Sequence, residues 1–177
     1  MEKVSGVTLG TIIAFIAPGF IGLVAASYHL PIAHAWITLA TDKDQTVGVF
    51  FFVLLASLTI GVILGGVRRI AIDPLFRKGF RRIPAIPRPE YDFAKLAVSG
   101  KLEAFEAIVE NYYKYYQFYS NMFVAVIVLW VAHALSEGPS WPIGYHATLA
   151  LLLVGLVTSA WLSLERYSTA ASKFFAA

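Results

Sequence analysis

Cysteine is absent from this chain, and charged side chains are scarce. Without cysteine there can be no disulfide framework, thiol nucleophile or thiolate metal site. Asp, Glu, Lys and Arg make up 14% of the 177 residues, whereas soluble domains carry roughly 25%. The mean hydropathy is +0.69. This composition predicts a membrane protein rather than a soluble enzyme or binding domain.

Charge is missing altogether from four long stretches of the sequence. A membrane-spanning helix needs roughly 20 apolar residues, and its backbone polar groups must be satisfied internally because lipid offers no hydrogen bonds. The first stretch could instead be a signal peptide. However, Pro18 and Gly19 interrupt it, and it is longer than the apolar h-region of a typical signal peptide. We therefore predict an all-α polytopic integral membrane protein, a single membrane domain over 1–177 with four transmembrane helices at about 7–27, 47–67, 118–135 and 145–164.

The distribution of Lys and Arg predicts the orientation. Nine of the 14 lie between Arg68 and Lys101, and with four spans only Lys43 falls on the opposite side from the rest. Because cytoplasmic loops carry the excess of Lys and Arg, we expect both termini in the cytoplasm. A cytoplasmic loop and helix stem should occupy about 68–117, and the membrane is expected to be a bacterial plasma membrane.

Small residues recur four apart in the first two predicted spans. Gly22 and Ala26 form one such pair, and Gly61 and Gly65 form another. This spacing lets helix backbones approach closely. We expect contact within one chain, with a seam between copies as the alternative. Pro18 should also kink the first span and free the carbonyl four residues earlier, at Ala14.

The segment after the second span mixes basic and apolar residues, as interfacial segments on anionic lipid do. Asp73 followed by Pro74 resembles a helix N-cap and first residue, which predicts a short surface helix from Pro74 to about Arg82. We do not expect nucleic-acid binding, because a basic cluster beside a span is usually a topology signal. The candidate headgroup-binding residues are Arg68, Arg69, Arg77, Lys78, Arg81 and Arg82.

The third span should belong to a longer helix, because neither proline nor glycine occurs from Lys101 to Glu137. Glu110 and Lys114 are spaced for an i,i+4 ion pair. The acidic residues of the stem, which are Glu103, Glu106 and Glu110, are predicted to face the basic segment.

The stretch NYYKYYQFYSNM, residues 111–122, stands where this helix would enter the membrane. Tyrosine at the headgroup level needs no chemical role. An aromatic belt does not account for Gln117 and Asn121, whose amides should face other helices rather than lipid. Hydrogen bonding between helices is the favoured interpretation. The alternatives are a pore lined by Gln117, Asn121, Lys114 or Ser159, and a headgroup pocket built from Arg68, Arg69 and Lys114.

All four histidines fall on the predicted outer side, where convergence with Asp42 and Asp44 could make a proton- or metal-responsive site. Interfacial histidines without such a role are the favoured interpretation, and His29 and His34 are not spaced as a helical metal pair. The sequence shows no nucleotide-binding, zinc-protease or nucleophile-elbow motif, so we expect no cofactor and no metal. It predicts a non-enzymatic membrane subunit, in a class that includes channels and permeabilising components. Its expected partners are anionic lipids and either copies of itself or other subunits. The alternative is a membrane enzyme or binding protein for a lipid or lipophilic substrate at the cytoplasmic interface.

Overall fold

The computed structural model describes residues 6–41, 47–79, 100–137 and 141–176, and this part of the chain is helical apart from its turns. The all-α prediction is therefore confirmed. In chain order the elements are α1 (Gly6–Ser27), α2 (Pro31–Thr41), α3 (Val47–Gly79), α4 (Leu102–Ile108), a π-helical turn (Val109–Tyr113), α5 (Lys114–Glu137) and α6 (Ile143–Ala176).

The long third helix predicted from the lack of proline and glycine is present. The elements α4, the π-helical turn and α5 follow one another without a break from Leu102 to Glu137. Gly100, which has a φ of +69°, lies just before this helix. Glycine adopts such a backbone conformation without the steric cost that other residues meet, so the helix begins directly after a glycine turn.

Three helical stretches are long and apolar enough to cross a membrane: Val47–Phe76, Leu102–Ser136 and Ile143–Phe174. Helix α1 has 22 residues, and within the part of it whose side chains the structure describes the apolar stretch is Ile13–Ser27. The structure thus supports membrane association through three helices. The fourth span and the orientation of the chain stay predictions.

Helices α1 and α3 cross with their backbones in direct contact. A Cβ atom added at Gly19 would overlap the backbone oxygen of Ser57, and one added at Gly61 would overlap the backbone oxygen of Phe15. Only glycine allows such an approach. Gly66, one turn further along α3, has nothing within 4 Å of an added Cβ.

The other predicted packing residues also lie within a single chain. A Cβ at Gly22 would be 2.6 Å from the Ile60 side chain, and one at Gly65 would be 3.1 Å from the Phe15 ring. Ala26 packs against a cluster of buried residues at the predicted outer end, which comprises Leu23, Ala33 and Val53. The small-residue pairs are therefore used between α1 and its neighbours.

Helix α3 does not end at residue 67, and Asp73 does not begin a new helix. The helix continues to Gly79 with Pro74 inside it. The interpretation of Asp73 and Pro74 as a helix start was therefore wrong. Proline removes a backbone hydrogen bond, but contacts around it hold the helix together: Asp73 accepts a hydrogen bond from Tyr116, and Phe76 packs against Tyr116 and Ala160.

Candidate functional site

The stretch NYYKYYQFYSNM turns its polar residues inward at three positions. Tyr116 is 2% exposed, Ser120 1% and Asn121 0%, whereas Tyr115 is exposed and stacks on Tyr119. Tyr116, Ser120 and Asn121 thus share the face of α5 that packs against the bundle.

The π-helical turn lies directly before these residues. Such turns contain one wider helical turn and occur often at functional sites. Tyr113, its last residue, lies with its ring centroid 5.9 Å from that of Tyr116 and 5.1 Å from that of Tyr167 on α6. The turn thus brings a tyrosine of the stem into contact with α6.

Arg68 is enclosed among these groups and is 1% exposed. Its Nη1 donates a hydrogen bond to Ser120 Oγ at 3.4 Å, and its Nε lies 3.8 Å from Asp73 Oδ1. The guanidinium carbon lies 5.2 Å from the centroid of the Tyr116 ring, within the range of a cation–π interaction. Three different kinds of contact therefore hold one buried cation.

Asp73 connects the members of this group. Its Oδ1 accepts the hydrogen bond of the Tyr116 hydroxyl and pairs with Arg68. Ser120 donates in turn to the backbone oxygen of Tyr116. We call these four residues, Arg68, Asp73, Tyr116 and Ser120, the polar cluster. It joins the second half of α3 to the first half of α5.

Sequence reasoning missed the polar cluster. Arg68 was grouped with the lipid-headgroup candidates, and Asp73 was interpreted as a helix cap. Tyr116 stands among four other tyrosines in residues 111–122, and nothing in the sequence separates it from them. No local signal separates Arg68 from Arg69, which follows the same apolar run.

The amide of Asn121, for which the sequence left three interpretations open, forms a hydrogen bond with helix α1. Its Nδ2 donates to the backbone oxygen of Ala14 at 3.3 Å. That oxygen is the one freed by Pro18, which has no N–H to donate. Asn121 Oδ1 is buried without a hydrogen-bond partner among the described residues and faces the Cα of Gly65, where an added Cβ would be 3.8 Å away.

The other pore candidates lie on α5 and α6. Lys114 Nζ lies 3.1 Å from Glu110 Oε1, so the predicted i,i+4 pair is confirmed. Gln117 is half-buried on α5, and Ser159 is half-buried on α6. The amide of Asn121 is directed at α1, and a pore lined by these residues stays a prediction.

The headgroup candidates divide into enclosed, exposed and undescribed residues. Arg68 belongs to the polar cluster, whereas Arg69 beside it is exposed. The side chains of Arg77 and Lys78, together with Arg81 and Arg82, lie outside the described residues. So does the basic partner of the predicted contact with Glu103 and Glu106, both of which are exposed on α4.

Comparison with known proteins returns no match. No family model, no curated protein and no solved structure is significantly similar to the chain. Function is therefore inferred from the geometry of this chain. Two features bear on it: a polar cluster whose groups are paired with one another, and a candidate spanning helix, α6, that the other described residues leave largely uncovered.

Proposed function

We propose that the protein is a non-enzymatic membrane subunit that self-associates through the outward face of α6. This helix is the least covered of the three candidate spans. In the most apolar 18-residue stretch of α6, 11% of the stretch is buried inside the bundle. The corresponding share is 22% for the span in α3 and 39% for Leu102–Ser136. The outward face contains exposed residues of α6 at helical spacing: Gly144, Thr148, Leu151, Gly155, Thr158 and Leu162.

Gly155 is the observation that carries the proposal. It lies in the middle of this face, and an added Cβ would meet nothing within 4 Å. Glycine in a helix interior costs about 1 kcal/mol relative to alanine, and among the described residues no neighbour needs its small size. Between membrane helices, however, small residues allow close backbone contact. A second helix on this face would give Gly155 the role that Gly61 has inside the chain.

The hydrogen bonding of Thr158, on the same face of α6, supports self-association as well. The Thr158 hydroxyl donates within α6 to the backbone oxygens of Val154 and Gly155, at 2.9 and 3.0 Å. Its polar group is thus satisfied before any partner binds, which lowers the cost of burying it. The whole face can therefore be covered by an apolar helix.

The arrangement of charged groups favours a non-enzymatic role. Arg68, Asp73 and Tyr116 contact one another, and Lys114 pairs with Glu110. A lipid-modifying site would need such groups open to substrate. Leu64, Val124 and Ala125 fill the space between α3 and α5 inside the bundle. A conduction path would therefore have to lie between copies of the protein. The proposal includes a bacterial plasma membrane and cytoplasmic termini as its setting.

Replacing Gly155 by leucine tests the proposal. The side chain would separate two helices that meet at this position, so we expect Gly155→Leu to weaken association while the monomer stays folded. The measurement is subunit counting by single-molecule photobleaching of fluorescently tagged full-length protein in dilute liposomes. Wild type should show more than one copy per complex, and Gly155→Leu should shift the distribution towards one.

The matched control is Gly66→Leu on α3, because an added Cβ there also meets nothing within 4 Å. It makes the same change of volume and hydropathy in another candidate span. Equal loss of association in both variants would show a general effect of leucine. A monomeric wild-type protein would overturn self-association, and association unchanged in Gly155→Leu would exclude this face.

A further inference from the structure

Aromatic and histidine side chains gather at the predicted outer end, opposite the polar cluster. The His133 ring on α5 stacks on Trp141, with centroids 3.7 Å apart and an interplanar angle of 18°. Tyr28, at the end of α1, meets His133 edge to face at 5.4 Å. Trp141 begins the segment that leads into α6, so these rings join the ends of α1, α5 and α6.

A hydrogen bond in this cluster depends on the charge of a histidine. Trp130 Nε1 on α5 lies 3.3 Å from His146 Nδ1 on α6. The indole nitrogen can only donate. His146 Nδ1 must therefore accept, which requires a lone pair on that atom. An imidazolium has a hydrogen on both nitrogens, so protonation of His146 removes the acceptor.

His29, a neighbour in the same region, behaves in the opposite way. Its Nε2 lies 3.1 Å from the backbone oxygen of Ala132. A carbonyl oxygen can only accept, so His29 donates, and it still donates when it is protonated. Of these two hydrogen bonds, only the one that His146 accepts is lost in the charged state.

We propose that the Trp130–His146 hydrogen bond is a pH-sensitive latch between α5 and α6 at the predicted outer end. Histidine changes charge between about pH 5 and 8. The latch is closed while His146 is neutral and open once His146 is protonated. Trp130 is 40% exposed on the outside of the bundle. This device is independent of the proposed self-association.

The surrounding groups do not replace the lost hydrogen bond. The Trp130 and Trp141 ring centroids lie 6.2 and 6.3 Å from that of His146, at the outer limit of the roughly 6 Å range of a cation–π interaction, where such an attraction is weak. The other titratable side chains that face the cluster in the described residues are Tyr28 and His29 from α1 and its following turn, His133 from α5 and Tyr145 from α6. None of these carries a negative charge at neutral pH that could hold the imidazolium in place.

The indole N–H signals give a direct readout of the latch. The chain has four tryptophans, so the full-length protein labelled with ¹⁵N-tryptophan in nanodiscs should give four indole signals. The Trp130 signal is assigned by its loss in Trp130→Phe. We expect it to move upfield and to exchange faster with water as the pH falls from 8 to 5, because its hydrogen-bond acceptor disappears.

His146→Gln separates the latch from other titrations. The glutamine side-chain oxygen can accept from Trp130 and does not titrate in this range, so the Trp130 signal should lose its pH dependence. His34→Gln is the matched control, because His34 is exposed on α2, and it should leave the wild-type titration in place. A Trp130 signal that does not titrate in wild type, or that titrates equally in His146→Gln, would overturn the proposal.

Discussion

At the scale of single residues, Pro18 and Asn121 act on the same atom, the backbone oxygen of Ala14. Pro18 leaves the backbone oxygen of Ala14 without its donor inside α1, and the amide of Asn121 supplies a donor from α5. A buried carbonyl without a partner would be costly in an apolar bundle. The hydrogen bond from Asn121 therefore compensates for the one that Pro18 removes.

This relation predicts a positive coupling between Pro18→Ala and Asn121→Ala. Asn121→Ala alone should lower the free energy of unfolding by about 1 to 2 kcal/mol, since it leaves the Ala14 oxygen unsatisfied. In Pro18→Ala the alanine N–H can bond to Ala14 within α1. The cost of Asn121→Ala should then fall by at least half. Reversible unfolding in mixed micelles, as a double-mutant cycle, measures the coupling.

The control for this cycle is Asn121→Ala combined with Gly66→Ala, at a position with nothing within 4 Å of the added Cβ. Those two changes should add without coupling. An equal cost of Asn121→Ala with and without Pro18 would show that the amide stabilises the bundle in some way other than through Ala14.

Single-residue chemistry could be predicted from the sequence only in part. The free carbonyl at Ala14 follows from proline's missing N–H, and the buried amide follows from the polarity of Asn121 in an apolar run. Their meeting, 107 residues apart, has no local signal. The burial of Arg68 could not be predicted for the same reason, because its partners Tyr116 and Ser120 come from another helix.

At the scale of elements, the polar cluster accounts for the length of α3. Local sequence favours a break at Asp73 and Pro74, yet the helix runs on to Gly79. The hydrogen bond from Tyr116 to Asp73 and the packing of Phe76 on α5 and α6 oppose this break. Tertiary contact here overrides local preference, and these contacts hold the helix end against α5.

Removing the carboxylate should release this end of α3. Asp73→Ala leaves the buried guanidinium of Arg68 without its ion-pair partner, which costs about 3 kcal/mol or more for a buried pair. We expect a lower free energy of unfolding and faster amide hydrogen exchange over residues 70–79. Hydrogen exchange with mass spectrometry in detergent measures both the place and the size of the effect.

Arg69→Gln is the comparison variant, because Arg69 is exposed one residue away. It removes a positive charge from the same helix turn without touching the polar cluster, so exchange over residues 70–79 should stay close to wild type. Wild-type exchange in Asp73→Ala would mean that the packing of Phe76 alone keeps α3 continuous through Pro74.

At the scale of the whole molecule, the helical architecture could be read from the sequence because lipid leaves the backbone few choices. Hydropathy predicted the apolar parts of α3 and α6, and the lack of proline and glycine predicted the long helix from Leu102 to Glu137. Neither signal predicted that α3 continues to Gly79 or that α6 continues to Ala176. Helix α1 is not among the three long apolar stretches of the described residues, where its apolar part is Ile13–Ser27. Whether α1 crosses the membrane decides the side on which the N-terminus lies.

Cysteine labelling distinguishes the two topologies, and the natural absence of cysteine makes each introduced thiol unique. With four spans, Ser5→Cys and Ser172→Cys should both be protected from a membrane-impermeant maleimide in intact cells, whereas Lys43→Cys should react. If only the three longer spans cross, Ser5→Cys should react together with Lys43→Cys. Labelling after permeabilisation shows that every thiol is reactive once reached. The distribution of Lys and Arg favours the first pattern, because 13 of the 14 then lie in the cytoplasm with Lys43 as the exception.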